Sequence, residues 1–538
     1  MDGTVYNQNS MSWIEHYQVI IQEKVKITSF RDFVKYLGGW YPVNFYKRKE
    51  GITIYPETPR SPQLVPPSRF TPPELEIWEY DFSLSLFENY RELFHKTPLS
   101  ALRQFPPIEN SEYTDWSGWW THNSYLDIGL YDVENVFYSF EVKEHCKNVF
   151  NSVMVWYNSE NVFQSNCIVR SSFIFYSRYI LDSSHIWFST NLIGCHDCIF
   201  CDNLTNASYC IENKQYTKEN FEIVKAKMLK DQKNFMKYFL SLPRSGNNLV
   251  SENVSGSYIT NSRNVENGYY SFNITEGKNA ILVGSMLGNS HMYNVISAGS
   301  PFFDHGYSVI NSGWGNHVYC SDFIVGSNVY YSYYLENCSF CLGCIWLKNN
   351  SYCILNKQYT KEEWERLAEK IFASMEADGT LGNFFPASMN PYYFNDTAAC
   401  IFDSSFTKEE VTREGYLWRD EPIHADIPEW LKVIKNTELD QYQGFRETPF
   451  TKGKVTEWQE DFVSEQDPQS PHSSSTDSLP KELTWYIDPE IMHVIIADEK
   501  GNYYRIVQME YDFLMKHALP LPTIHWLDRM KMGFTMGK

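Results

Sequence analysis

The chain has 538 residues, too many for one ordinary core, so two to four structural units are expected. Its formal net charge of −20 argues against nucleic acid or anionic lipid as a partner, because a field of that sign repels phosphate. Hydrophobic residues at 43% and charged residues at 21% exclude a disordered chain, and 17% aromatics favour half-buried β-structure.

No run approaches the roughly 20 apolar residues that span a bilayer. The acidic start, Met1 to Lys24, lacks the apolar centre of a signal peptide. A cytoplasmic location is expected, where twelve cysteines would be reduced, buried or metal-bound rather than disulfide-paired. Residues 1–110 read as an α+β module with helices over Trp13–Val25 and Leu84–His95. Between them, the Pro-rich run Pro56–Pro73 must be extended or looped. Phe45–Lys49 is a short basic run that reads as a solvated face.

A first repetitive array is expected over 111–216. Asn-Val-Phe recurs at Asn135–Phe137, Asn148–Phe150 and Asn161–Phe163, and related steps continue at intervals of 11 to 13 residues. Units that short cannot bury their own apolar face, whereas stacked units share a core. The pattern predicts a mainly β fold, a duplicated right-handed parallel β-solenoid with flanking helices. Two or three units would make each coil. A meander of hairpins is the alternative. After a helical excursion over 217–250, a second array is expected over 251–359.

Both arrays close with nearly the same phrase, Ser208-Tyr-Cys-Ile-Glu-Asn-Lys-Gln-Tyr-Thr-Lys-Glu219 and Ser351-Tyr-Cys-Ile-Leu-Asn-Lys-Gln-Tyr-Thr-Lys-Glu362, which signals internal duplication. Thr217 and Thr360 stand where N-caps belong, and Glu363 completes a capping box only in the second copy. A mixed region with helices at Lys408–Glu414 and Ile427–Ile434 follows over 360–464. A Ser/Pro-rich linker over 465–480 then leads to an α+β module over 481–538.

The closing phrase, Gly415–Asp420 and the tail Leu519-Pro-Leu-Pro522 resemble an uncharacterised family recurrent in small-genome, candidate-phylum bacteria. Members look as if they carry terminal zinc-ribbon-like Cys knuckles. Residues 1–110 and 401–538 contain no cysteine, so the resemblance carries no ribbon to these ends, where the terminal modules would be degenerate. It implies architecture rather than chemistry.

The sharpest candidate constellation is Cys195, Cys198, Cys201 and Cys210, matched residue for residue by Cys338, Cys341, Cys344 and Cys353. Four thiolates suit zinc or an iron–sulfur cluster. The competing reading is a buried ladder with Cys198 and Cys210 on adjacent rungs, roughly 4.8 Å apart. Asp127 with Asp132, or Asp182 with Asp202, could share a face as a glycosidase would need, but Asp is also an ordinary corner residue. Asp304-His305 and His196-Asp197 are adjacent, and strand neighbours face opposite sides, so neither reads as a dyad. No P-loop, dinucleotide fingerprint or nucleophile elbow occurs.

The leading functional expectation is a non-enzymatic solenoid scaffold with a protein partner along one face. Two alternatives stand beside it: a metal-binding accessory protein acting on or near nucleic acid, and a β-helix enzyme acting on polysaccharide.

Overall fold

Backbone handedness sets this fold. From Asn161 to Tyr209 every third residue has a positive φ, among them Asn161 (54°), Gln164 (47°), Cys167 (55°) and Arg170 (46°). Each such residue turns the chain a corner, so four corners close a coil in twelve residues. The ladder pairings show that closure: Ile168 pairs with Ile180, Ile174 with Ile186 and Ile180 with Leu192, all in parallel. The recurring unit is therefore one whole coil. The expectation of two or three units per coil is corrected, because a corner every third residue needs fewer residues than extended sides would.

In this computed structural model, residues 12–66, 77–105, 108–243, 246–298, 303–422, 427–448 and 482–533 are described. The solenoid has about 20 turns in two arrays.

The triplet explains the sequence signature. In Asn-Val-Phe, Asn takes the left-handed corner that it tolerates better than most residues. Val points inward and Phe stacks outside. The corner amides form a ladder, Asn123 to Asn135 (3.2 Å), Asn135 to Asn148 (2.9 Å) and Asn148 to Asn161 (3.2 Å), and the Phe137 and Phe150 rings stack at 5.1 Å. Inward residues alternate between apolar and Ser: Ile168, Ser171, Ile174, Ser177, Ile180 and Ser183 are all buried. The serines satisfy backbone groups inside a narrow core. Ser177 Oγ donates to the Phe175 carbonyl (2.8 Å) and accepts from the Ser189 N–H (3.2 Å).

The first array begins at Gln104, which pairs with Ser117, and ends with strand Ser208–Ile211. A short strand, Lys214–Gln215, folds back antiparallel on that last rung, and helix Lys218–Met228 follows. The second array runs from Glu252–Thr260 to Ser351–Ile354 and closes the same way, with Lys357–Gln358 and helix Lys361–Ala377. Phe221 packs edge-on against Tyr209 (5.8 Å), and Trp364 against Tyr352 (6.3 Å). Thr217 and Thr360 cap the two helices, with the full box at Thr360 and Glu363 alone. The shared phrase is thus one structure built twice.

The N-terminal helix Trp13–Lys26 lies on the second array, where Gln18 donates to the Tyr330 hydroxyl (2.7 Å) and Asn294 to the Val25 carbonyl (3.2 Å). Contacts divide the chain into two compact units, Met1–Asp420 with Trp526–Lys538, and Glu421–His525. The final helix Trp526–Gly533 belongs to the larger unit, with Trp526 beside Phe45 (6.0 Å), so the 481–538 region is not one module. In the smaller unit, Lys432–Lys435 pairs parallel with Val494–Ala497, and Gln443–Thr448 antiparallel with Glu482–Ile487. The helix expected over Ile427–Ile434 is a turn leading into strand, as the β-branched pair Val433-Ile434 prefers. The expected linker at 465–480 lies outside the described residues. Among the described residues no helix is long and apolar enough to cross a membrane.

Candidate functional site

The triplet geometry decides where the cysteines point. Cys195, Cys198 and Cys201 are spaced by three, so all three are inward residues, and Cys210 stands one coil beyond Cys198. All four are buried in the first core, as Cys338, Cys341, Cys344 and Cys353 are in the second. Cys198 pairs in register with Cys210, and Cys341 with Cys353. Cys198 is the hub of the first set: its hydrogen bonds lower the Cys195 and Cys201 thiols, and it is raised in turn. Cys341 plays the same part beside Cys338. Each sulfur also meets backbone carbonyls, as Cys195 Sγ does at Ile193 and Leu204 (3.5 Å each). Among the described residues, the cluster of three or more His, Cys, Asp or Glu ligand atoms lying within 4.8 Å of one another is His291, Asp304 and His305. Neither cysteine set gathers that closely, whereas zinc with bonds of about 2.3 Å would draw its sulfurs to roughly 4 Å or less.

The carboxylates considered for acid–base chemistry are occupied elsewhere. Asp127 is buried and accepts the Tyr125 (2.9 Å) and Ser139 (2.7 Å) N–H groups, while burial holds its carboxyl well above the usual range. Asp132 pairs with His145 (2.6 Å), and Asp182 takes Arg170 in a fork (2.6 and 2.8 Å). Asp202 accepts from Asn191 (2.9 Å). Each binds a neighbouring coil. His196 is engaged by Ser184 (2.8 Å). Asp304 and His305, expected on opposite faces, meet at 2.8 Å, because the left-handed φ of His305 (55°) breaks strand alternation.

The two arrays pack side by side and run antiparallel. Contacts join Trp116 to Phe323 (6.3 Å), Glu141 to Ser297 (2.6 Å), Trp156 to Phe272 (5.6 Å) and Tyr179 to Tyr258 (4.6 Å), so numbers rise in one array as they fall in the other, and Arg103 just before the first array reaches Asp322 (3.6 Å). Glu141 is the polar centre of this seam. Its buried Oε1 accepts from the Tyr41 hydroxyl (2.5 Å) and from Ser297, and its Oε2 lies 2.5 Å from the Lys143 ammonium. Burial and the Glu141 charge push the Tyr41 phenol well above its usual range, so it stays a donor.

Beside Glu141 the seam opens into a cleft of about 90 Å³. Trp116, Tyr131 and Trp156 line it from the first array, and Asn311, Trp314 and Phe323 from the second. The Lys143 ammonium sits 4.2 Å from the Trp116 ring centre, so its charge is shared between Glu141 and a π face. Trp314 is 58% exposed, whereas Asn311 is 1% exposed with neither amide atom hydrogen-bonded. A buried amide with donor and acceptor both unmet, in an aromatic cleft, is a binding feature in want of a complement. Sequence reasoning passed over these residues. Asn311 and Trp314 look like ordinary corner and loop residues until the antiparallel seam brings them opposite Trp116 and Trp156.

Comparison with known proteins found no match to a family model, a curated protein or a solved structure.

Proposed function

We propose that the protein is a non-enzymatic interaction scaffold whose recognition site is the seam cleft, and that it takes an apolar or aromatic anchor residue from an extended segment of a protein partner. The observation that carries this reading is Asn311, whose unmet amide lines a mostly apolar cleft with Trp314 exposed beside it. A peptide group offers the donor and acceptor that such an amide lacks, and aromatic walls suit a desolvated anchor. Rigidity supports the same role, since two solenoids joined by the Glu141–Lys143–Tyr41 cluster hold the walls of the cleft in place. The four aspartates that might have served hydrolysis are committed to neighbouring coils, which favours binding over catalysis. We place the chain in the cytoplasm, a location that suits twelve free cysteines. We also place it with the small-genome bacterial family whose closing phrase it carries twice.

Display selection of random peptides on the purified protein tests the proposal, with a glycan array in parallel. Enrichment of peptides sharing an aromatic or branched anchor, abolished on Trp314→Ala, supports it. No enrichment, or enrichment unchanged on that variant, removes it. Glycans bound at Trp314 in place of peptides would transfer the cleft to saccharide recognition.

A further inference from the structure

Away from the seam, the second array carries a column of imidazoles. His291, His305 and His317 occupy left-handed corners of successive coils, with φ of 55°, 55° and 54°. Their rings stack at 4.3 Å and 4.5 Å, tilted by 15° and 9°. Solenoid register alone accounts for the stacking, because equivalent corners superpose from coil to coil.

What register does not account for is the convergence of three further atoms. Asp304 Oδ1 lies 2.8 Å from His305 Nδ1 and 3.5 Å from His291 Nδ1, and one ligand atom from each of the three residues lies within 4.8 Å of the others. Each of the three is buried without a hydrogen-bond partner of proper geometry, although the parent side chains stay partly exposed at 30%, 34% and 36%. Polar atoms at that depth ordinarily find partners. The opposite edge of His291 faces a carboxylate: its Nε2 is 3.6 Å from Glu276 Oε2, and the Tyr293 hydroxyl holds the other Glu276 oxygen. A carboxylate behind the far nitrogen favours the tautomer that leaves Nδ1 unprotonated.

We propose that His291 Nδ1, His305 Nδ1 and Asp304 Oδ1 form a transition-metal site of the zinc class. Two imidazoles and one carboxylate match the donor preference of Zn²⁺ and Co²⁺. Bonds of about 2.0–2.1 Å in a tetrahedron set neighbouring ligand atoms about 3.3 Å apart, a value that the Nδ1–Oδ1 separations bracket, and binding requires the two stacked rings to turn so that their in-plane lone pairs converge on the ion. Three protein ligands leave a fourth position open to water or to a partner's side chain. The site is separate from the eight cysteines, and it stands or falls independently of the seam cleft.

Co²⁺ is the probe, because its visible bands report geometry and its near-ultraviolet charge transfer reports sulfur. Titrating the chelator-treated full chain should give a four- or five-coordinate visible spectrum at one equivalent, without a sulfur charge-transfer band. Asp304→Asn should weaken Co²⁺ binding about tenfold or more, and His305→Ala should abolish the spectrum. His317→Ala, one rung beyond the trio, should leave it intact. Near-ultraviolet circular dichroism of each variant confirms that the solenoid is folded, and His291→Ala replaces any variant that is not. Absence of the visible bands, their survival in both His305→Ala and His291→Ala, or a sulfur charge-transfer band would overturn the proposal.

Discussion

The Arg103 guanidinium and the Asp322 carboxylate face each other at 3.6 Å across the seam, and both side chains are buried. Arg103 is already committed to Asp115, which accepts from its Nε (3.1 Å) and Nη2 (2.6 Å), so Asp322 receives only a share of that charge. Burial pushes the Asp322 carboxyl up to about 7, with Arg103 opposing the shift. The folded chain then holds a proton that the unfolded chain releases near pH 4. The associated stability is full below that pH and is lost as pH rises through about 7, by at most ~1.4 kcal/mol per pH unit. Asp322→Asn imitates the protonated form. Urea unfolding from pH 4 to pH 7.5 should show the wild type losing stability relative to this variant, and a constant difference would contradict the seam assignment.

The cysteine columns give a second test. On the core reading, Cys198→Ala is a small truncation beside Ile186 and Cys210 and costs about 1–2 kcal/mol in urea unfolding. Cys341→Ala should cost about the same amount, since the two sets are built alike. Stoichiometric zinc or iron in the purified protein, lost together with folding in either variant, would show that the thiols hold a metal.

The serine column behaves differently from the isoleucines between its members. Ser177→Ala removes the acceptor of the Ser189 N–H inside the core, leaving a buried donor unmet at about 1–3 kcal/mol. Hydrogen exchange should quicken at Ser189 and on the neighbouring rungs while the helix Lys361–Ala377 keeps its protection. Unchanged exchange at Ser189 would mean that the column is not a working hydrogen-bond ladder.

The duplicated closing phrase differs in one respect that can be measured. Glu363→Ala breaks a reciprocal box in which Thr360 N–H donates to Glu363 (3.0 Å), and Thr360→Ala should cost about 1 kcal/mol. Asn220→Ala in the first copy removes no reciprocal bond and should be near neutral. Equal losses at Glu363 and Asn220 would show that the box contributes nothing.

Much of this architecture can be read from residues alone, because stacked coils force the same residue into the same corner. The recurrence of Asn135, Asn148 and Asn161 announces the solenoid, and the repeat of Tyr209–Glu219 at Tyr352–Glu362 announces its duplication. Coil size is hidden, since nothing in Cys167 or Arg170 says that a non-glycine residue will take φ near +50°. The same blindness separates Asp304 from His305 in a strand-based reading, although they meet at 2.8 Å. The seam is hidden for another reason. Glu141 and Ser297 are 156 residues apart, and only the antiparallel packing of two finished solenoids makes them neighbours. Asn311 acquires its meaning from that packing and from nothing near it in sequence.

The central claim, that the seam cleft is a recognition site, is tested most directly by the affinity of a selected peptide for wild type and for Gly313→Leu. A Cβ at Gly313 meets only Val325 Cγ2 at 3.6 Å, so the leucine can be accommodated while filling the cleft. The account predicts that the variant unfolds at the wild-type temperature and binds at least about tenfold more weakly, a loss of ~1.4 kcal/mol. Equal affinity for the two proteins would place the binding surface elsewhere and contradict the account.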